Sequence, residues 1–147
     1  MSGTVFSIIK LTNLIYRCTQ SHTNEVLKEF QLGSGTYPYL LVLYAREGIN
    51  QNQISKELNV DKAMSARTVK QLITLGYIKK EEDPEDSRAY NLYLTDKAKA
   101  VIPAVKKMLR EWNEIITTGM DDDEKRSMME LLGKVLENAK AVKDKKQ

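Results

Sequence analysis

A chain of 147 residues, 41% hydrophobic and 29% charged, has the length and balance of one folded globular domain. Its single cysteine excludes an internal disulfide. Its longest apolar run, Tyr37 to Ala45, falls far short of the roughly 20 residues a membrane span needs. A net charge of +3 is too mild to argue for nucleic acid by itself.

Lys10 and Asn13 interrupt the early apolar residues, and no small-residue cleavage site follows, so no signal peptide is expected. With no span and one thiol, a cytoplasmic location is expected. Ile8, Leu11, Ile15, Cys18, Val26 and Phe30 recur at helical spacing and predict one face of a long first helix. Gly33-Ser34-Gly35 breaks it. Thr36 is expected to cap a second helix, with Pro38 in its first turn and Gly48 beyond its end. Asn50 and Gln53 form a capping pair for a short third helix with a stripe of Ile54 and Leu58. After Asn59-Val60, Asp61 caps a fourth helix that buries Ser65, Val69 and Leu72 and stops at Gly76. Two helices joined so tightly read as a helix-turn-helix.

The period then changes. Residues 77–80 and 89–94 predict two strands, and the polar stretch from Glu81 to Arg88 predicts a long hairpin tip. Thr95 opens a fifth helix striped by Val101, Val105, Met108, Trp112 and Ile115, with a bend expected near Pro103. Thr117-Thr118-Gly119 ends it. Asp121 and Glu124 then cap a sixth helix striped by Met128, Leu132, Val135, Ala139 and Val142. Residues 143–147 read as a frayed charged tail. The fold class is mainly α: a winged helix-turn-helix of three helices and a β-hairpin wing, with N- and C-terminal dimerisation helices.

Materials for catalysis are scarce. His22 and Cys18, four residues apart, share a helix face but have no third His or Cys to complete a zinc site. Asp122 and Asp123 sit at a helix start, where capping accounts for them. No catalytic residue, metal or cofactor is expected, and the chain reads as a non-enzyme. The fourth helix offers something different. Ala63, Ala66, Arg67, Lys70 and Thr74 lie opposite Val69 and Leu72, with Lys62 at the N-terminal end. Small residues beside basic ones suit a helix seated in the major groove, where Arg67 can fork onto a guanine edge. The start of that helix offers free N–H groups to a phosphate. Between Lys62 and Lys80 stand five basic residues (Lys62, Arg67, Lys70, Lys79 and Lys80) and no acidic one. Against this, Glu81, Glu82, Asp83 and Glu85 make the wing acidic. Two rival readings follow: a winged helix used for protein contacts alone, and a small helical enzyme using His22 and Cys18.

The run Gln53-Ile54-Ser55-Lys56-Glu57-Leu58-Asn59-Val60-Asp61-Lys62, then Arg67, resembles the MarR family. So do Leu72 to Ile78, the wing tip Asp83-Pro84-Glu85-Asp86-Ser87-Arg88, and Leu94-Thr95. The resemblance covers roughly residues 8 to 142. Ala98 departs from it, at a position where family members often carry Gly. It implies one MarR-type domain over 1–147, with a DNA-binding unit at 36–96 and dimerisation helices at 5–31 and 97–142. It implies a homodimer on a pseudo-palindromic double-stranded operator, and a repressor, or less often an activator, whose affinity falls when a small molecule or an oxidant acts, a small aromatic or phenolic effector being one candidate. Asp86 would orient Arg88 into the minor groove, with Ser87 between them placing both on one strand face. One branch of the family senses peroxide through a first-helix cysteine, but that position here is Thr12, which favours Cys18 as a buried small apolar residue over a redox role. Tyr16, His22, Tyr37 and Tyr39 are candidates for an effector cavity, or else pack the start of the second helix.

Overall fold

The computed structural model describes residues 2–86 and 88–145. Ser87 of the wing, and Lys146 and Gln147 of the expected tail, lie outside the described residues. Six α-helices and one hairpin follow in order: α1 (Ser2–Val26), α2 (Tyr37–Ala45), α3 (Gln51–Leu58), α4 (Lys62–Thr74), β1 (Ile78–Glu82), β2 (Tyr90–Leu94), α5 (Asp96–Ile116) and α6 (Asp122–Lys145). The chain divides into two compact units between Leu109 and Arg110.

Most boundaries follow from side chains that satisfy the orphan groups of a helix end. Asn50 Oδ1 accepts from the Gln53 amide at 2.9 Å, and Gln53 returns the bond to the Asn50 amide, so α3 starts on a complete capping box. Asp61 Oδ1 accepts from the Met64 amide at 2.7 Å and starts α4. Asn59 joins the two helices in the left-handed region, which asparagine tolerates. Gly76, at φ +85°, ends the run where a side chain would be strained. Asp121 and Glu124 repeat the reciprocal box at α6.

Three expectations are corrected. The first helix stops at Val26, not at the glycines, and Phe30 sits in a separate 3-10 turn, Lys28–Phe30. Gln31 closes that turn in the left-handed region. Thr36 precedes α2 but does not cap it: its hydroxyl bonds Gly33, accepting from the amide at 2.9 Å. A Cβ at Gly33 would displace the Asn24 carboxamide, which accepts from the Ser34 amide at 2.9 Å. Finally, α6 continues through Lys145, so the first part of the expected tail is helical. Meanwhile α5 passes through Pro103 as one continuous helix.

The core lies within the first unit. Leu40, Leu43, Ile54, Leu72, Ile78, Ile102 and Val105 are fully or almost fully buried there. β1 and β2 pair antiparallel, Ile78 opposite Leu94 and Glu82 opposite Tyr90. Ile78, Leu92 and Leu94 alternate inward on that register and fasten the hairpin base. The outer edge of β2 is held by the loop before α3, where Gly48 donates to the Leu92 carbonyl at 2.8 Å and Leu92 donates to that of Ile49 at 2.9 Å. Tyr77 donates its hydroxyl to the Phe30 carbonyl at 2.6 Å, and burial pushes that phenol above its usual 10.0.

Thr95 ties the end of α4 to the start of α5. Its hydroxyl donates to the Gly76 carbonyl at 2.6 Å and accepts from the Ala98 amide at 3.2 Å. Thr95→Ala removes both bonds and should lower stability by about 1–2 kcal/mol, while Thr95→Ser should retain most of it. Urea midpoints at one protein concentration read the difference. An unchanged midpoint in the alanine variant would show that the clip is dispensable.

Candidate nucleic-acid interface

Two surfaces of one helix separate cleanly. On α4, Ser65, Val69 and Leu72 are buried, while Lys62, Ala63, Ala66, Arg67, Lys70 and Thr74 are all exposed. A 3.6-residue period places those two sets on opposite sides, so burying one presents the other. The wing stands beside this outer face. Together α4, the wing and the first turn of α3 enclose an open cleft of about 660 Å³.

Ala66, Lys70 and Thr74 line that cleft from α4, and Lys80, Arg88 and Tyr90 line it from the wing. The structure thus brings Ala66, Lys70 and Arg88 to one cavity from two separate elements. Lys62, Ala63, Arg67 and Asp86 are not among its walls. The cleft's other wall, Asn50, Gln51 and Asn52 at the start of α3, was missed as a site because Asn50 reads fully as a cap. A signal was present: no acidic residue occupies the first turn of α3. Its neutral Asn50 cap leaves the positive end of the helix unneutralised, which favours an anion. The start of α4, expected to hold a phosphate, is less free, since the Asp61 carboxylate already takes the Met64 amide.

The wing differs from its expected form in two respects. Glu81 and Glu82 extend β1 instead of joining the tip, paired with Asn91 and Tyr90. Alternation sends them to opposite faces, so the acidic cluster is divided. Lys80 shares the cleft-side face, with its Nζ 4.6 Å from the centre of the Tyr90 ring. The Asp86–Arg88 pairing also has another origin. Neither residue is in a strand. Asp86 Oδ1 accepts from the Arg88 backbone amide at 3.0 Å, a local side-chain turn, and lies 4.0 Å from Arg88 Nε. Asp83 makes the same bond to the Glu85 amide at 2.9 Å. Carboxylates at the tip therefore fold the turn, and the Arg88 side chain projects 95% exposed.

The four residues considered for an effector cavity part company. Tyr16 is exposed, and His22 and Tyr37 are half-buried. Burial first, then the neighbouring Tyr16, raises the Tyr37 phenol above its usual 10.0. Tyr39 belongs to the core: it is 2% exposed, with its hydroxyl 3.2 Å from Ser65 Oγ. Cys18, expected in the interior, is exposed. Within the described residues no three His, Cys, Asp or Glu are grouped to hold a metal, and no helix is long and apolar enough to cross a membrane.

A family model described as the MarR family matches residues 31–89. The HTH-type transcriptional regulator BilQ of Clostridioides difficile (strain CD3) is 32% identical over 123 residues, 84% of this chain and 83% of that one. The chain belongs to the MarR family. A MarR transcriptional regulator from Methanosarcina mazei Go1 shares its fold with a TM-score of 0.86 and 34% identity, over 92% of this chain and 97% of that one. A Listeria monocytogenes protein solved in complex with 26mer DNA aligns with a TM-score of 0.83 and 25% identity, over 88% and 87% of the two chains. The winged helix-turn-helix is therefore shown by both sequence and architecture. In this MarR-family chain Ala98 sits fully buried in α5, where its methyl favours the helix.

Proposed function

We propose that this MarR-family regulator is a cytoplasmic, homodimeric, sequence-specific DNA-binding repressor without enzymatic activity, relieved by a small aromatic or phenolic effector. The observation that carries the DNA reading is the exposed basic face of α4, with Ala63 and Ala66 leaving room for close approach, beside a wing that presents an exposed arginine. The DNA complex of the Listeria monocytogenes protein supports it. In this reading Arg67 reads a guanine edge, Lys62 and Lys70 meet phosphates, and Arg88 enters the minor groove.

Exposed apolar side chains support the homodimer. Ile8, Leu11 and Ile15 on α1, Ile115 on α5, and Leu132, Val135 and Val142 on α6 are each between 45% and 58% exposed. Apolar side chains repeated along helix faces in this way favour an interface. A monomeric mass at micromolar concentration would refute the dimer. Two α4 helices related by a twofold axis would meet major grooves roughly 34 Å apart, giving a pseudo-palindromic operator. Selection of bound sequences from a random DNA pool at two salt concentrations tests both. Arg67→Ala should relax one base position per half-site, costing about 1–3 kcal/mol. Lys70→Ala should weaken all sequences alike and reduce the salt slope by about 1. Unaltered preference in Arg67→Ala would remove it from base reading, and failure to select any sequence would favour the protein-contact reading.

Removing a negative charge ought to help a purely electrostatic binder of DNA. Because Asp86 holds the turn that carries Arg88, Asp86→Ala should instead weaken binding nearly as much as Arg88→Ala, most on sites with A·T-rich flanks. Tighter binding by Asp86→Ala would reduce the wing to its net charge.

For the effector, Tyr16, His22 and Tyr37 remain the candidate residues, with Tyr16 close enough to Tyr37 to add to the rise in its phenol pKa that burial causes. A ligand there regulates only by discriminating between conformations, so operator DNA must weaken its binding by the same factor. Titration of aromatic acids with and without operator should show that difference. Equal affinities would exclude the compounds tested.

A further inference from the structure

Behind the exposed face of α4 runs a chain of buried hydroxyls. Tyr39 of α2, Ser55 of α3 and Ser65 of α4 are 2%, 5% and 0% exposed. The Tyr39 hydroxyl lies 3.2 Å from Ser65 Oγ, and Ser55 Oγ lies 2.7 Å from Ser65 Oγ. Ser55 Oγ is also 3.1 Å from the Gln51 carbonyl. Ser55 donates its hydroxyl within this cluster, to Ser65 Oγ or to the Gln51 carbonyl, and between Tyr39 and Ser65 either hydroxyl can donate.

Such a chain is a costly way to fill a core. Each hydroxyl forfeits its hydration, and the return in net stability is modest. What it adds is direction. Apolar contacts between helices permit small rotations and slides, whereas hydrogen bonds are satisfied over a narrow range of distance and angle. Here each of the three helices contributes one hydroxyl, and the chain ends on Gln51, which lines the cleft. Ser65 and Arg67 project from nearly opposite sides of α4, so Ser65 sits at the pivot of the helix's rotation. Each 10° of rotation displaces an atom about 6 Å from the helix axis by about 1 Å.

We infer that Tyr39, Ser65 and Ser55 are positioning residues for DNA recognition. They touch no DNA. They set the rotation and depth of α4 against α3 and α2, and through it the aim of Arg67. The inference rests on the DNA-binding reading, but its test can be separated from that reading.

Tyr39→Phe removes one hydroxyl at nearly constant volume and leaves the Ser65–Ser55–Gln51 segment satisfied, so the fold should survive. Ser65→Ala, which cuts the chain at its centre, is the second variant. Affinity for the selected operator should fall about 5–10-fold, with binding to unrelated duplex changed less than about twofold. Amide hydrogen exchange in the free protein should quicken in α4 and the first turn of α3 and remain unchanged in α5. A purely structural role would lower the urea midpoint and leave the ratio of operator to unrelated-duplex affinity as it was, and that result overturns the inference. Wild-type protein that binds neither duplex would overturn the DNA-binding reading instead. In that case exchange in the variants still decides the positioning, and unchanged rates in α4 refute it.

Discussion

One requirement governs the molecule: α4 must be held from behind so completely that its front can stay empty of protein contacts. Val69 and Leu72 supply apolar burial, and Ser65 supplies direction. The surrounding structure serves that arrangement. Asp61 sets where the helix starts, Gly76 where the chain turns away, and Thr95 fastens the turn to α5. Ile78, Leu92 and Leu94 then seat the hairpin so that its tip comes to the side of α4. Six exposed positions on one helix, three basic and two alanine, become a surface only because the opposite side has no freedom.

A second constraint acts on the terminal helices. Among residues 7–26 of α1 only Thr23 is buried, and α6 has no buried residue over 122–144. Helices of this length are marginal in water unless an apolar face is covered. Leu131, Leu132, Val135 and Leu136 of α6 spread apolar surface over more than a single narrow stripe. The proposed dimer answers that need, and it would link the stability of each protomer to protein concentration. Exposure of Cys18 in the single chain belongs to the same account, since it lies on the apolar side of α1.

Electrostatics here act locally. With a net charge of +3, the proposed attraction to DNA depends on where charges stand. Lys62, Arg67 and Lys70 share the outer face of α4. The wing's carboxylates, which looked opposed to DNA in the sequence, are partly committed: Asp83 and Asp86 hold backbone amides, and Glu81 and Glu82 point to opposite faces. An acidic tip and an exposed arginine are compatible because the acids make the turn that presents it.

Local chemistry was legible in the residues themselves. The reciprocal caps at Asn50 and Asp121, the Asp61 cap, the stop at Gly76 and the buried set Ser65, Val69 and Leu72 depend on partners within a few positions, so reading neighbours along the chain suffices. Where the competing partner lay elsewhere, only the tertiary structure decided. Tyr39 turned inward because Ser65, 26 residues away, offers its hydroxyl a bond. The strand β1 ran on through Glu82 because Tyr90 and Asn91 were there to pair with it. The division of apolar stripes into core and open surface was likewise undecidable beforehand. The stripe of α5 is buried at Val101, Val105 and Met108 and exposed at Ile115, although its spacing never changes. Periodicity records that a face must be covered. What covers it is a property of the assembled chain and of the second copy proposed here.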